Sequence, residues 1–273
     1  MPSDLEQLRS TQLRERIDSE RSYHDDYYRA LQEPLAIPFD LANSTQRRPH
    51  NLTWAFYDAI LEHFGRQLNG KRILEIGCGT GSVTLNLSRN GAYVDAFDVS
   101  EEAVAICMRR AAYNNEEKAK FLVSAMEDLD QPENYYDAVV GHMVLHHLDI
   151  SAAMEKVYRY LKPGGLGVFA EWKEYAVVDR VRRTALLQWL FRPGGVTGYA
   201  TEYERKLSRR DFQVIRRRFP NLTVECRYCL RGKVEYFSPR IAAKLERFDC
   251  RLLQLLPCLN PFTDGAVLCV TKE

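Results

Sequence analysis

The stretch Ile73-Leu74-Glu75-Ile76-Gly77-Cys78-Gly79-Thr80-Gly81 decides the fold of this chain. An apolar run typical of a buried strand leads directly into glycines at alternate positions, and a helix is predicted to begin near Ser82. Glycine is needed where the backbone turns tightly and approaches a ligand, because it has no Cβ. Open α/β sheets bind ligands at the carboxyl ends of their strands, so this loop is the first candidate binding site.

Short apolar runs alternate with amphipathic helical segments around this loop. Five runs are spaced as buried parallel strands, at residues 73–76, 93–97, 120–123, 137–140 and 166–170. Helices are predicted between them at residues 101–113 and 151–161. Two further strands, at residues 222–230 and 266–271, complete an α/β fold: a doubly wound, seven-stranded, mostly parallel sheet with a helical substrate cap.

The remaining segments are predicted to be mainly helical. A polar helix runs from the amino terminus to about residue 32, and others occupy residues 53–64, 208–219 and 239–256. We interpret the chain as a single domain in three parts. Residues 1–50 form an N-terminal helical cap, residues 51–170 the binding core, and residues 171–273 the substrate-cap insertions with the last two strands.

Composition narrows the function classes. The 273 residues are 45% hydrophobic and 27% charged, as in an ordinary globular protein, and the net charge of +1 does not suit wholesale phosphate neutralisation. Nucleic acid is therefore not expected as a partner. The charged amino terminus and the lack of long apolar runs predict no membrane span, and a cytoplasmic location is expected.

Cysteine and metal chemistry are not expected either. The seven cysteines are scattered and odd in number, which indicates reduced thiols. Cys226 and Cys229 form a C-x-x-C pair inside a strand-like run, so buried structural cysteines are favoured over a redox or metal role. No carboxylate and histidine cluster with ligand-like spacing stands out, and no metal is predicted.

The glycine loop, in the form E-x-G-x-G-x-G, resembles motif I of the class I S-adenosylmethionine (SAM) dependent methyltransferases, in particular small-molecule, type 11-like members. A dinucleotide-binding fold, and hence a nicotinamide-dependent reductase, would show G-x-G-x-x-G instead. Further matches follow in order across residues 72–169: AFDVS (96–100), SAMEDL (124–129), YYDAVVGHMVLHHL (135–148) and LKPGGLGVF (161–169). The resemblance implies a Rossmann-like methyltransferase fold.

The same resemblance implies SAM as cofactor, S-adenosylhomocysteine as product, and a set of contacts. The methionine portion lies along Glu75, Gly77, Gly79 and Gly81, the ribose at Asp98 and Val99, and the adenine at Met126 and Glu127; Cys78 and His142 complete the candidate cofactor-binding residues. Many relatives carry Asp where Ala125 stands, so the contact to the adenine amino group would fall to Ser124, Glu127 or backbone.

A base beside the glycine loop would assist transfer to a phenol or a protonated amine. Histidine is the natural base near neutral pH, and His142 follows the fourth strand directly. His146 and His147 begin the next helical turn and are also candidate catalytic residues, or are hydrogen-bonded residues at a helix start. Glu171 is a weaker base or acceptor-binding candidate, and a plain surface carboxylate is favoured over that role.

The acceptor pocket is predicted from segments that reach over the carboxyl edge of the sheet. Tyr23, Tyr27, Tyr28, Glu171 and Trp172 are the candidate substrate-binding residues. An apolar lid suits a hydrophobic or aromatic acceptor, although such stripes also serve as lid-to-core packing. The other apolar residues expected in the cap are Tyr175, Trp189, Phe191, Tyr199, Phe248, Leu252, Leu253 and Leu256.

The sequence thus predicts a SAM-dependent methyltransferase acting on a small, hydrophobic or aromatic metabolite, with oxygen favoured over nitrogen or carbon. Two alternatives stay open. The basic run between residues 205 and 218 would serve a tRNA, other RNA or protein methyltransferase, or would be a solvated helix face. The chain would otherwise be a non-catalytic SAM-binding protein. The oligomeric state has no signal in the sequence.

Overall fold

Seven strands form one sheet in the order β3-β2-β1-β4-β5-β7-β6. The computed structural model describes residues 4–37, 41, 51–174, 205–228 and 239–273. The strands are β1 (Arg72–Ile76), β2 (Tyr93–Asp98), β3 (Ala119–Val123), β4 (Tyr136–His142), β5 (Leu161–Trp172), β6 (Thr223–Arg227) and β7 (Gly265–Thr271).

The first five strands are parallel, and β7 runs antiparallel between β5 and β6. From β1 the chain builds outward through β2 and β3 on one side and then returns to β4 and β5 on the other. Ile76 consequently pairs with Phe97 and with Gly141 at the carboxyl edge. This topological switch opens a crevice at that edge, directly beside the glycine loop.

Helices cover both faces of the sheet within the described ranges. They are α1 (Asp4–Ala30), α2 (Leu52–Phe64), α3 (Ser82–Arg89), α4 (Glu101–Asn114), α5 (Ile150–Tyr160), α6 (Arg209–Arg218) and α7 (Pro239–Leu255), with short 3₁₀ helices at Leu145–His147 and Pro257–Phe262. Side chains of Asn51, Ser100 and Asp149 accept backbone N–H groups at the starts of α2, α4 and α5. The predicted α/β fold is confirmed.

The core consists of two apolar layers, one on each face of the sheet. Successive strand residues point to opposite faces, so Ile73 joins one layer and Leu74 the other. The layer with Leu74 includes residues of α5 and α6, and the layer with Ile73 includes residues of α2 and α3. The sheet is therefore buried on both sides, which agrees with its near-continuous apolar runs.

Some sequence predictions fall on residues that are not described. Tyr175, Trp189, Phe191 and Tyr199 of the expected cap lie outside the described residues, as does Cys229 of the C-x-x-C pair. The predicted sixth strand is shorter than expected in the described part, since β6 ends at Arg227 and Tyr228 follows with φ of 65°. Within the same part of the chain, no helix combines the length and apolarity needed to cross a membrane.

Candidate functional site

A cavity of about 330 Å³ lies at the carboxyl ends of β1, β2 and β4. The glycine loop forms its floor, the segment after β3 forms one end, and the turn after β4 forms the other. One face of α1 closes it from above. Most of the predicted cofactor residues line it: Glu75, Gly77, Cys78, Gly79, Asp98, Val99, Met126, Glu127 and His142.

The first two glycines of the loop are closely approached by side chains across the cavity. Gly77 has φ of 66°, and a Cβ there would lie 2.5 Å from Cγ2 of Val144. A Cβ on Gly79, which has φ of 51°, would lie 3.0 Å from the Tyr28 hydroxyl. Positive φ and close approach together require glycine at both positions.

Gly81, unlike Gly77 and Gly79, does not line the cavity. It is the N-cap residue of α3, with φ of 78°, and faces Cys107 rather than the cavity. The contact of Gly81 with the cofactor's methionine portion stays a prediction. Its role is to turn the chain into the helix, with the Sγ of Cys107 2.9 Å from where its Cβ would lie.

Asp98 ends β2 and holds the loop in place. Its Oδ2 accepts the Gly79 N–H at 2.9 Å, and its Oδ1 accepts the Ser100 N–H at 3.0 Å. Burial raises the pKa of the carboxyl, partly offset by these backbone hydrogen bonds. Each carboxylate oxygen has a second lone pair, so both remain able to accept from a ligand.

Glu75 lies on β1 beneath the loop and is 1% exposed. The Thr84 hydroxyl of α3 donates to its Oε2. Burial raises the pKa of Glu75 to about 8. A carboxyl group in this position is therefore poised to lose its proton when a cation binds beside it.

The opposite end of the cavity is formed by the residues after β3. Ala125 and Met126 are buried there, and the Ser124 hydroxyl donates to the backbone oxygen of Ala125 at 2.9 Å. Glu127 is ion-paired with Arg16 of α1. The residues predicted to bind the adenine thus lie together. Helix α1 adds a cation, Arg16, that was not predicted as part of the site.

The three candidate catalytic histidines have different surroundings. His142 lines the cavity, with its Nε2 3.1 Å from Oγ1 of Thr53 and its ring edge-on to Phe56; burial lowers its pKa. His147 also lines the cavity, whereas His146 does not. Nδ1 of His146 lies 2.7 Å from Oε2 of Glu171, so the reading as a hydrogen-bonded residue applies to His146.

Glu171 is fully buried within β5, so the prediction of a surface carboxylate is wrong. Its Oε1 accepts the backbone N–H groups of Val144 and Leu145 at 2.8 and 2.6 Å. The carboxylate thus positions the turn after β4 and does not line the cavity. This role could not be predicted from the sequence, because Glu171 lies 25 to 27 residues from the turn that it contacts.

Of the candidate substrate-binding aromatic residues, one lines the cavity and three do not. Tyr28 lines the cavity, and burial raises the pKa of its hydroxyl. Tyr27 is 38% exposed and Tyr23 packs against His24, and neither lines the cavity. Trp172 packs against Tyr228, with 6.0 Å between ring centroids, and also lies outside the cavity lining. Phe248, Leu252, Leu253 and Leu256 do not line it either.

One face of α1 forms the roof of the cavity. Most of the residues on this face were not predicted as site residues from the sequence. Arg16, Glu20, His24 and Tyr28 recur every four residues and all line the cavity. The residue after His24 fastens the helix to the core, since the Ser100 hydroxyl donates to Asp25 at 2.6 Å. The four-residue spacing was the available signal, because it places polar side chains on one helix face.

Glu20, His24 and His147 come together at this roof. This group of one carboxylate and two histidines could hold a metal ion, which the spacing in the sequence did not indicate. Its members come from two segments more than 120 residues apart, so their spacing in the sequence carries no sign of it.

Residues 73–165 match the protein family described as a methyltransferase domain. The matched segment runs from β1 into β5. Two relatives are ubiquinone biosynthesis O-methyltransferases. That of Alkalilimnicola ehrlichii is 34% identical over 38% of this chain and 42% of the relative, and the mitochondrial one of Mus musculus is 32% identical over 38% and 29%. The chain thus spans less than half the length of these relatives.

Two solved structures of methyltransferases share the fold of this chain. Geranyl diphosphate C-methyltransferase from Streptomyces coelicolor, solved with Mg²⁺, geranyl diphosphate and S-adenosylhomocysteine, has a TM-score of 0.59 at 14% identity, covering 94% of this chain and 98% of that one. Magnesium protoporphyrin IX methyltransferase from Synechocystis, solved with S-adenosylhomocysteine, has a TM-score of 0.54 at 13% identity over 94% and 100%. The predicted Rossmann-like fold is confirmed.

Proposed function

We propose that this protein transfers the methyl group of SAM to a small, hydrophobic or aromatic acceptor, with an oxygen atom as the favoured acceptor. One observation carries the proposal: Asp98, the glycine loop and His142 line the same cavity. The relatives named as O-methyltransferases support the choice of oxygen.

In this proposal the main role of the chain is to bind the cofactor and to orient the acceptor. Gly77 and Gly79 let the methionine portion lie against the backbone, and Glu75 faces its ammonium group. Asp98 accepts from both ribose hydroxyls, and the residues around Met126 enclose the adenine. The sulfonium methyl is already electrophilic, so holding the acceptor in line supplies on the order of 7–11 kcal/mol.

His142 is the proposed base for the acceptor proton. Burial lowers its pKa, so the ring is neutral at pH 7 and has a lone pair available. Thr53, at 3.1 Å from Nε2, orients the ring. Removal of the proton by a positioned base contributes roughly 10²–10⁴ in rate.

The alternative of an RNA or protein substrate has less support. Arg218 of α6 pairs with Glu155 at 2.8 Å and lies over the Tyr158 ring, and Arg205 is bonded to Asp211. These cations are engaged within the chain, and no residue between 205 and 218 lines the cavity.

The test combines calorimetry with a screen. Titration with SAM and S-adenosylhomocysteine measures cofactor binding, and S-adenosylhomocysteine release is followed with phenols, quinols, amines and tRNA. Release with a phenol or quinol is expected. Release only with tRNA, abolished by charge reversal at Arg216–Arg218, would favour the RNA alternative; cofactor binding without release from any acceptor would favour a non-catalytic binder.

A further inference from the structure

Glu20, His24 and His147 direct three metal-ligating atoms toward one point on the cavity wall. Oε2 of Glu20 lies 3.3 Å from Nε2 of His24 and 3.1 Å from Nδ1 of His147. All three atoms lie within 4.8 Å of one another. Glu20 and His24 are one helical turn apart on α1, and His147 belongs to the 3₁₀ helix after β4.

These separations match the coordination shell of a small divalent ion. In a tetrahedral zinc site the metal–ligand distances are about 2.0–2.1 Å, which places neighbouring ligand atoms about 3.3 Å apart. Both measured distances from the Glu20 oxygen are close to that edge length. Two imidazoles and one carboxylate are also a ligand set that transition metals bind in proteins.

The contact between Glu20 and His147 is not a hydrogen bond. Nδ1 of His147 is buried and has no hydrogen-bond partner among the described residues, although it is 3.1 Å from a carboxylate oxygen. Two atoms at this distance without hydrogen-bond alignment are what a shared third atom would produce. Glu20 is the buried member of the group, at 5% exposed, and both histidines are partly buried.

We propose that Glu20, His24 and His147 bind one divalent transition-metal ion of the zinc class. With three protein ligands, a fourth coordination position remains for a molecule in the cavity, as in catalytic zinc sites. The ion also joins α1 to the turn after β4. Its further role rests on the proposed function: an acceptor hydroxyl bound at the fourth position would have its pKa lowered and would be held near the glycine loop.

Cobalt(II) substitution of the full-length chain tests the site without any activity assay. Protein stripped with a chelator is titrated with Co²⁺, the visible d–d absorption is recorded, and bound cobalt is counted by elemental analysis. We expect one ion per chain, displaced by Zn²⁺. His24→Ala, Glu20→Gln and His147→Ala should each weaken binding at least roughly tenfold to a hundredfold, the loss seen even for outer-shell partners of metal ligands.

His63→Ala is the matched control, since His63 is exposed on α2 and lies outside the cavity. Circular dichroism establishes that each variant is folded. Absence of saturable Co²⁺ binding to the wild type, equal loss in the His63→Ala variant, or a thiolate charge-transfer band from Cys258 would overturn the site. Calorimetry with SAM on metal-free protein tests the proposed function separately, because none of the proposed cofactor contacts is a ligand of the ion.

Discussion

Oε2 of Glu171 lies 2.7 Å from Nδ1 of His146, and both side chains are buried. The same carboxylate accepts two backbone N–H groups at the turn after β4. The turn carries His147 and Val144 to the cavity. The position of the cavity wall therefore depends on a residue that does not line it.

Glu171→Ala should lower the free energy of unfolding by about 2–5 kcal/mol, because two buried backbone donors lose their acceptor. Urea unfolding measures the change. Glu171→Gln keeps one acceptor oxygen and should cost less. An unchanged midpoint in the alanine variant would show that the carboxylate does not hold the turn.

Asp98→Ala should weaken SAM binding by about 1–3 kcal/mol, the size expected for the loss of hydrogen bonds to a charged group. Calorimetry with SAM and S-adenosylhomocysteine measures it. Asp95→Ala is the control, since Asp95 is in the same strand but accepts from Tyr136 away from the cavity. Equal affinity in wild type and Asp98→Ala would remove the ribose assignment.

Cofactor binding should release a proton at pH 7. Burial raises the pKa of Glu75 to about 8, so the free protein holds that proton at neutral pH. The ammonium group of SAM favours the carboxylate, and affinity should therefore rise with pH up to about 8. Calorimetry in two buffers of different ionisation enthalpy counts the proton. Glu75→Gln should show none.

The raised pKa of Glu75 also predicts how the stability of the protein changes with pH. The unfolded chain loses the Glu75 proton near pH 4.5, whereas the folded chain keeps it to about pH 8. The contribution of Glu75 to stability is full below pH 4.5 and is lost as the pH rises to about 8. Thermal melts of wild type and Glu75→Gln across this range should converge at low pH; parallel curves would contradict the shifted pKa.

Gly77→Ala should destabilise the protein more than Gly164→Ala. Both glycines have positive φ, 66° and 75°, which costs an alanine about 1–2 kcal/mol. A Cβ on Gly77 also meets Val144 at 2.5 Å, whereas nothing lies within 4 Å at Gly164. The contact should add about 1–3 kcal/mol. Urea unfolding compares the two, and equal losses would show that the loop adjusts freely.

His142→Ala should slow methyl transfer roughly 10²–10⁴-fold while leaving SAM affinity nearly unchanged. The turnover is measured with an acceptor found in the screen, and binding by calorimetry. Thr53→Val, which removes the 3.1 Å partner of His142, should have a smaller effect on turnover. A wild-type rate in His142→Ala would exclude this residue as the base.

The sheet was predictable from the sequence because its signals are local. Buried parallel strands appear as short apolar runs, and the strand leading into Gly77 needs glycine for steric reasons that apply wherever the loop occurs. Most predicted strand and helix bounds lie within a few residues of those observed. The motif order also identified Asp98 and the segment around Met126, which both line the cavity.

The roof and the support of the cavity were not predictable in the same way. The periodicity of α1 indicates a helix, but the surface that it covers depends on contacts with distant residues, such as that of Asp25 with Ser100. The burial of Glu171 likewise depends on backbone donors from another strand end. Trp172 was assigned to the acceptor pocket from its position after β5, but its packing partner is Tyr228.

Helix α1 precedes the matched segment of residues 73–165, yet it supplies the upper wall of the cavity. The enclosure is thus assembled from two separable stretches of polypeptide. A helix with different side chains on its cavity-facing side would change which ligands fit the cavity and how fast they dissociate. The packing of the sheet would not change. The shape and charge of the ligand site therefore depend on a helix that lies outside the matched segment.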